Sequence, residues 1–128
     1  MANLTPQNPR KKRQTAERSG RVAEWVVALY YRLSGARILT RRFKRRSGEA
    51  DIIAFKNGTL IIVEVKRRRT IDAAIEAVTL ANRRRIEQVT ASYQAHRPQF
   101  AHCGVRYDIA AMAGYRLVIL KDAWRQGE

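Results

Sequence analysis

The dipeptide Asn57-Gly58, with apolar runs on both sides, is the feature that most constrains the fold of this chain. It is the strongest short signal for a β-hairpin, because a type I′ turn needs positive φ at both central residues. A two-residue turn pairs Lys56 with Thr59, and every later pair follows from that register. The sequence therefore predicts two antiparallel strands, Glu49–Phe55 and Thr59–Arg67.

This register places two acids against each other. Asp51 is expected directly opposite Glu64, and Glu49 opposite Lys66, with all four side chains on one face because residues two apart in a strand point the same way. Opposed Cβ atoms lie about 4.5–5.5 Å apart, where like charges destabilise a sheet. A hard divalent cation such as Mg²⁺ between the acids relieves that repulsion. Partial solvation and pairing with arginines is the alternative.

The opposite face of the hairpin supports the same register. It is expected to be an apolar surface formed by Ile52, Ala54, Ile61, Val63 and Val65. Ile53 and Ile62 pair further along the acidic face, where a helix is expected to cover them. Both strands are therefore predicted to be largely buried.

Composition points to a single basic domain. A chain of 128 residues folds by default as one domain with a real core. Its 26 Lys and Arg outweigh 11 Asp and Glu, which gives a net charge of +15. Twenty of those cations are arginines, whose planar fork suits phosphate. The charge favours nucleic acid as the partner, with DNA preferred over RNA; a merely basic surface or acidic lipid headgroups are the alternatives.

Cellular context is constrained by what the chain contains. A single cysteine, Cys103, excludes an internal disulfide or a cysteine-based zinc site. The best apolar run, Val22 to Leu33, is interrupted by charges and is too short for a membrane span. No signal-peptide pattern is present. The cytoplasm is the default location, with no membrane partner.

The first third of the chain divides into a tail and a helix. Residues 1–18 are predicted to be a disordered basic tail, followed by an α/β domain over residues 19–128. Helical spacing of apolar residues predicts a helix over Ser19–Leu33, buried on more than one side. Glu24 lies within it and needs a cation, a donor or a metal-bound water, unless it forms a salt bridge with an arginine.

The remaining elements complete one mixed sheet with flanking helices. A strand is predicted over Arg37–Phe43, followed by a basic turn through Arg46. Two helical segments follow between residues 72 and 95, with Asn82 at the break. Two closing strands are predicted over Val105–Met112 and Tyr115–Leu120. The one acid in these strands, Asp108, favours a salt bridge to Arg106 or Arg116 over catalysis.

The acid pair indicates phosphodiester hydrolysis. A divalent metal between Asp51 and Glu64, with the carbonyl of Val65 as a third ligand, lowers the pKa of bound water and polarises a phosphoryl group. Lys66 is placed to orient the water or stabilise the transition state, and Glu49 to set the position of Lys66. The cations predicted to hold backbone phosphates are Arg41, Arg42, Lys44, Arg45, Arg46, Arg67, Arg68, Arg69, Arg83, Arg84 and Arg85. For the last three, an ordinary charged helix face is the alternative.

These residues resemble the PD-(D/E)XK nuclease motif, in which D…E-x-K supplies metal ligands and a catalytic lysine. More narrowly, the chain resembles the uncharacterised bacterial YraN family, whose fold is similar to that of Holliday-junction resolvases. The matching segments are GRVAEWVVALYYRL, GEADIIAF, VEVKRR, EAVT and RYDIAA, and they span roughly Gly20 to Leu120.

The resemblance implies a restriction-endonuclease-like αβββαβ core and a Mg²⁺- or Mn²⁺-dependent endonuclease acting on DNA, including branched or repair intermediates. Asp51 and Glu64 would be metal ligands, Lys66 the catalytic lysine and Glu24 an auxiliary acid. It also suggests a homodimer. Arg42 and Asn82 depart from the expected asparagine and lysine, respectively. A non-catalytic nucleic-acid-binding module that keeps the nuclease fold is therefore the alternative function.

Overall fold

The fold was analysed in a computed structural model, which describes the backbone of residues 9–128 and the side chains of residues 20–128. Nine elements follow one another in this part of the chain. They are α1 (Pro9–Leu33), β1 (Arg37–Arg45), β2 (Gly48–Lys56), β3 (Thr59–Arg67), α2 (Ile71–Glu76), α3 (Leu80–Ala95), a 3₁₀ turn (Pro98–Phe100), β4 (Gly104–Ala113) and β5 (Arg116–Trp124). The predicted α/β class and the αβββαβ order are confirmed. The second helical region is split into α2 and α3, and β5 completes the sheet.

The described residues form one five-stranded sheet in the order β1-β2-β3-β4-β5. Only β3 and β4 run parallel, because the helices α2 and α3 carry the chain from the end of β3 back to the start of β4. The hairpin register agrees with the prediction, since Lys56 pairs with Thr59 and Ile52 with Val63. The Asn57-Gly58 turn adopts positive φ at both residues, as a type I′ turn requires.

Each face of the sheet carries its own helical layer. On one face, α1 covers the apolar hairpin residues Ile52, Ala54, Ile61 and Val63. On the other, α2 and α3 cover Ile53 and Ile62. Both predicted faces of the hairpin are thus confirmed, and all these side chains are fully buried. The sheet is the central layer of a three-layer α/β/α arrangement.

Helix α1 differs from the prediction in its start and in its buried face. It begins at Pro9, ten residues before the predicted Ser19. Proline suits the first helical position, and residues 10–18 contain no further helix breaker. Residues 1–8 of the predicted tail lie outside the described residues, so their disorder stays a prediction.

The burial predicted around most of α1 is wrong. Its sheet-facing stripe is formed by Ala23, Val27, Ala28 and Tyr31, each 1 % exposed or less. Trp25 is 54 % exposed and Leu33 80 %, on the outer side. A helix that lies on one face of a sheet can bury only one stripe, however apolar the rest of its surface is.

Three other boundaries differ from the prediction. The basic segment expected as a turn belongs mainly to β1, because backbone pairing with β2 continues to Arg45 and Gly48. The helical break falls at Thr79 rather than Asn82, since the Thr79 hydroxyl caps α3 by accepting from the Asn82 amide. Strand β5 extends to Trp124 instead of ending at Leu120.

Asp108 joins three elements in the core. The carboxylate, fully buried on β4, accepts two hydrogen bonds from Arg106, both at 2.9 Å, which confirms the predicted salt bridge. The Tyr31 hydroxyl on α1 donates a third at 2.6 Å, and the Asp122 amide on β5 donates a fourth at 3.0 Å. Asp108 therefore has a structural role. Among the helices of residues 9–128, none combines the length and apolarity needed to cross a bilayer.

Candidate active site

Strands β2 and β3 part just where the two acids lie. The backbone ladder ends at the pair Ile52 and Val63, one residue short of the predicted pairing of Asp51 with Glu64. Beyond that point the backbone amide of Val65 donates a hydrogen bond to Asp51 Oδ2 at 2.8 Å. The acceptor on β2 is thus a side-chain carboxylate instead of a backbone carbonyl. The two acids still lie near each other, since the negative charge of Asp51 contributes to the raised pKa of Glu64.

Glu64 is the most enclosed of the predicted site residues. Only 5 % of it is exposed, and Lys66 Nζ lies 3.2 Å from its Oε1. Within the described residues, its second oxygen, Oε2, is buried without a hydrogen-bond partner. A buried carboxylate oxygen without a partner costs free energy in the folded protein. Glu64 thus retains an unused acceptor beside a cationic lysine.

The environment opposes ionisation of both acids. Burial, reinforced by the neighbouring Asp51, raises the pKa of Glu64 to about 8, although Lys66 pulls it down. Burial also raises the pKa of Asp51 to about 6, against the opposing hydrogen bond from Val65. The charges of Glu24 and Glu49 add to this shift in the pKa of Asp51. Raised carboxyl pKa values in a cleft are typical of functional sites, because a positive ligand can relieve them.

These residues fit a divalent cation. Mg²⁺ and Mn²⁺ prefer hard oxygen ligands, and the buried Oε2 of Glu64 is such an oxygen without a partner among the described residues. Asp51 and Glu64 are the two carboxylates that would hold the ion, with the carbonyl of Val65 as the predicted third ligand. In residues 20–128, no three His, Cys, Asp or Glu side chains converge into a larger metal-ligand group. The set is thus a carboxylate pair, as Mg²⁺ sites often use.

Glu24 forms an ion pair with Arg42. It projects from α1, is 8 % exposed, and accepts a hydrogen bond from Arg42 Nε at 2.7 Å. Arg42 adopts a left-handed backbone, with φ of 55°. Asparagine, the residue expected at this position, enters this conformation more readily than arginine does.

Glu49 lies elsewhere than predicted. It pairs with Lys44 of β1 across the ladder instead of facing Lys66, because β2 has already left β3 at this point. Its charge nevertheless raises the pKa of Asp51, so it belongs to the same acidic cluster. This cluster comprises Glu24, Glu49, Asp51 and Glu64.

A basic groove of about 580 Å³ is lined by Lys66 and by one acid of the cluster, Glu24. It lies between the side of α1 and the end of β3, and Arg68 and Arg69 on its rim are exposed. Its lining residues are Gly20, Ala23, Glu24, Val65, Lys66, Arg67, Arg68 and Arg69. The predicted catalytic lysine and three predicted phosphate-binding arginines thus face one cavity together with Glu24. Sequence analysis missed Gly20 and Ala23, since their small size gives no chemical signal.

The other predicted phosphate-binding cations fall into two groups. Exposed cations on β1 and in the turn after it form an edge separate from the groove: Arg41, Lys44, Arg45 and Arg46. On α3, Arg84 is bonded to Glu87 at 2.8 Å and to the Glu128 carbonyl, and Arg83 lies over the Trp124 ring. Arg85 is exposed. These contacts give Arg83 and Arg84 roles within the fold.

Asn82, the other departure, lies in the first turn of α3. Its backbone amide donates a hydrogen bond to the Thr79 hydroxyl, while its side-chain oxygen, Oδ1, is buried without a hydrogen-bond partner among the described residues. The expected lysine would bring a cation to this position. The structure gives no contact between Asn82 and the acidic cluster.

Comparison with known proteins identifies the family. Residues 23–112 match the uncharacterised protein family UPF0102, the YraN family. A UPF0102 protein of Paramagnetospirillum magneticum is 43 % identical over 91 % of this chain and 95 % of its own length. Relatives from Chelativorans sp. and Rhizobium johnstonii are 42 % and 41 % identical, over 80 % and 82 % of this chain and 83 % and 86 % of their own lengths. The family match covers the acid pair, Lys66, Glu24 and strands β1 to β3 with nearly all of β4, and the chain belongs to family UPF0102.

Proposed function

We propose that this protein is a metal-dependent nuclease that hydrolyses phosphodiester bonds of DNA, including branched or repair intermediates. The observation that carries the proposal is the acid pair. Asp51 and Glu64 meet where β2 and β3 part, and Glu64 keeps a buried oxygen without a partner among the described residues. A protein that only binds polyanions gains nothing from carboxylates there, because they repel phosphate.

The roles of the side chains follow from their positions. Asp51 and Glu64 hold the cation, and the chemistry that a bound Mg²⁺ or Mn²⁺ supplies is Lewis-acid activation of water and charge neutralisation at the phosphoryl group. Lys66, 3.2 Å from Glu64, stabilises the charge that develops on the phosphate. Hydrolysis forms a P–O bond from water and breaks the P–O bond to one sugar oxygen, which leaves as a hydroxyl after protonation.

The groove supplies the substrate contacts. Arg68 and Arg69 are exposed at its rim, where backbone phosphates bind cations in a sequence-independent manner. A second positive surface is formed by the exposed cations of β1 and of the turn after it, which are Arg41, Lys44, Arg45 and Arg46. DNA as the substrate and a homodimer as the active form belong to this proposal, by resemblance to resolvases. Sedimentation of the purified protein tests the dimer.

A non-catalytic nucleic-acid-binding module is the second candidate. The ion pair of Glu24 with Arg42 favours it, because one acid of the cluster is already satisfied by a cation of the chain. The net charge of +15 serves either function.

The deciding experiment is cleavage of single-stranded, duplex, forked and four-way-junction DNA with Mg²⁺ or Mn²⁺. Wild type is compared with Asp51→Asn and with Asp72→Asn, which makes the same change at an exposed position on α2. We expect metal-dependent cutting by wild type and Asp72→Asn, and none by Asp51→Asn, with DNA binding retained. Binding without cutting by all three proteins supports the non-catalytic module instead.

A further inference from the structure

We propose that the guanidinium of Arg42 takes the place of a second metal ion in the acidic cluster, so that the site binds one divalent cation. This inference rests on the proposed nuclease function and specifies its metal stoichiometry. In the same position, Arg42 contacts the phosphate group of the substrate. Two observations support it: Arg42 contacts Glu24, and the charges of Glu49 and Asp51 act on Arg42.

The contact joins two elements of the fold, α1 and β1. Arg42 on β1 and Glu24 on α1 approach to 2.7 Å between Nε and Oε2. The Glu24 side chain is only 11 % exposed and that of Arg42 is 36 % exposed, so this hydrogen bond lies at the boundary between the protein interior and solvent. The charges of Glu49 and Asp51 also act on Arg42. Arg42 thus bonds to one acid of the cluster, and the charges of two others stabilise its positive charge.

A second ion has few ligands left. Two-metal sites place their ions about 3.5–4 Å apart, and each ion needs several oxygens. Asp51 and Glu64 supply the first ion, and Asp51 Oδ2 already accepts from the Val65 amide. Glu24, the remaining buried acid, is committed to Arg42. A second divalent ion would also face the fixed positive charge of the guanidinium.

The guanidinium is open to a phosphate. The Arg42 side chain is 36 % exposed, whereas the side chain of its partner Glu24 is only 11 % exposed. An arginine fork can bond a carboxylate on one edge and offer other N–H groups to a phosphate oxygen. Arg42 would therefore supply to the substrate the positive charge that a second ion supplies in two-metal sites.

Substitution of Arg42 by Asn tests this directly. Asparagine tolerates the left-handed backbone at this position, so Arg42→Asn removes the charge without new strain. Arg42→Lys keeps the charge, and Arg41→Asn removes the neighbouring exposed charge. Thermal unfolding establishes that each variant is folded, and Arg42→Gln replaces Arg42→Asn if the latter is not. Mn²⁺ binding is measured by calorimetry and by the electron paramagnetic resonance of free Mn²⁺.

We expect wild type, Arg42→Lys and Arg41→Asn to bind one Mn²⁺ per chain. Arg42→Asn should bind a second Mn²⁺, or bind the first about tenfold more tightly, a change of about 1.4 kcal/mol. Unchanged number and affinity in Arg42→Asn, or two ions in wild type, would overturn the inference while leaving the nuclease proposal intact. No Mn²⁺ binding by wild type and by Arg42→Asn would reject both. A cleavage assay alone does not separate these cases.

Discussion

The backbone amide of Val65 donates a hydrogen bond to the carboxylate of Asp51, 2.8 Å from nitrogen to Oδ2. This bond lies just beyond the last backbone pair of β2 and β3. Asp51 is thereby held by the main chain of β3, beside Glu64. A carboxylate that is already held by a backbone amide needs little rearrangement to bind a cation. The separation of β2 and β3 thus frees the Val65 amide to hold Asp51 in place beside Glu64.

The pH dependence of stability follows from Glu64. Its raised pKa means that the folded state binds a proton more tightly than the unfolded chain, so stability falls as pH rises from about 4.5 to about 8. Glu64→Gln, which mimics the protonated acid, should escape this loss and gain on the order of 2–4 kcal/mol relative to wild type across that range. Urea unfolding in EDTA at pH 5 and pH 8 measures it.

Glu76→Gln, an exposed acid on α2, is the control and should follow wild type at both pH values. Mg²⁺ at pH 8 should stabilise wild type more than Glu64→Gln, because only the carboxylate binds the ion well. Parallel pH curves for wild type and Glu64→Gln would contradict the assignment of Glu64 as a destabilising buried acid.

Substitution of Lys66 distinguishes metal binding from catalysis. Lys66→Met should lower kcat for DNA cleavage by about 100-fold or more, because the charge that stabilises the transition state is lost. Mn²⁺ binding should persist, since both carboxylates remain. Lys121→Met removes an exposed lysine from β5, outside the predicted site, and should leave kcat within about twofold of wild type. Equal loss of Mn²⁺ binding and kcat in Lys66→Met would assign Lys66 to holding Glu64 instead.

The link between α1 and the core depends on Tyr31. Tyr31→Phe removes the 2.6 Å hydrogen bond to the fully buried Asp108 and should cost about 1–3 kcal/mol of unfolding free energy. Tyr30→Phe, one residue earlier and half-buried, should change it by less than about 0.5 kcal/mol. Urea denaturation of the two variants gives the comparison, and equal stabilities would argue against the Tyr31–Asp108 bond.

The orientation of α1 predicts opposite effects at two positions. Val27 is fully buried against the sheet, so Val27→Ala should cost about 1–3 kcal/mol of unfolding free energy. Trp25 is 54 % exposed, and Trp25→Ala should cost less than about 1 kcal/mol despite the larger truncation. Thermal and urea unfolding measure both. A greater loss for Trp25→Ala than for Val27→Ala would mean that α1 packs through its other face.

Phosphate contacts at the groove predict the salt dependence of DNA binding. Arg68→Gln and Arg69→Gln should each weaken binding on every DNA sequence and reduce the slope of log K against log salt by about 1. Arg125→Gln, after the end of β5 and away from the groove, should leave the slope unchanged. Titrations at several salt concentrations provide the slopes. Equal effects of all three variants would indicate diffuse attraction without a defined groove.

The hairpin and its two faces could be predicted from the sequence because their causes are local. The Asn57-Gly58 turn sets the register, and the alternation of residues along each strand then decides which side chains share a face. The identities of the acids and of Lys66, and the excess of positive charge, are likewise properties of the chain alone. The closeness of Asp51 and Glu64 followed from this register.

The sequence could not fix where the hairpin ladder ends, which partner Glu24 takes or which stripe of α1 is buried. The first depends on a side chain of β2 replacing a backbone bond to β3. The second depends on Arg42, eighteen residues from Glu24, adopting a left-handed backbone. The third depends on the sheet, which offers α1 only one surface. The local sequence pattern determined the secondary-structure elements and the chemistry of their side chains. Contacts between residues distant in sequence decided how the acids are held. The free energy of those contacts depends on neighbours that a local pattern does not specify.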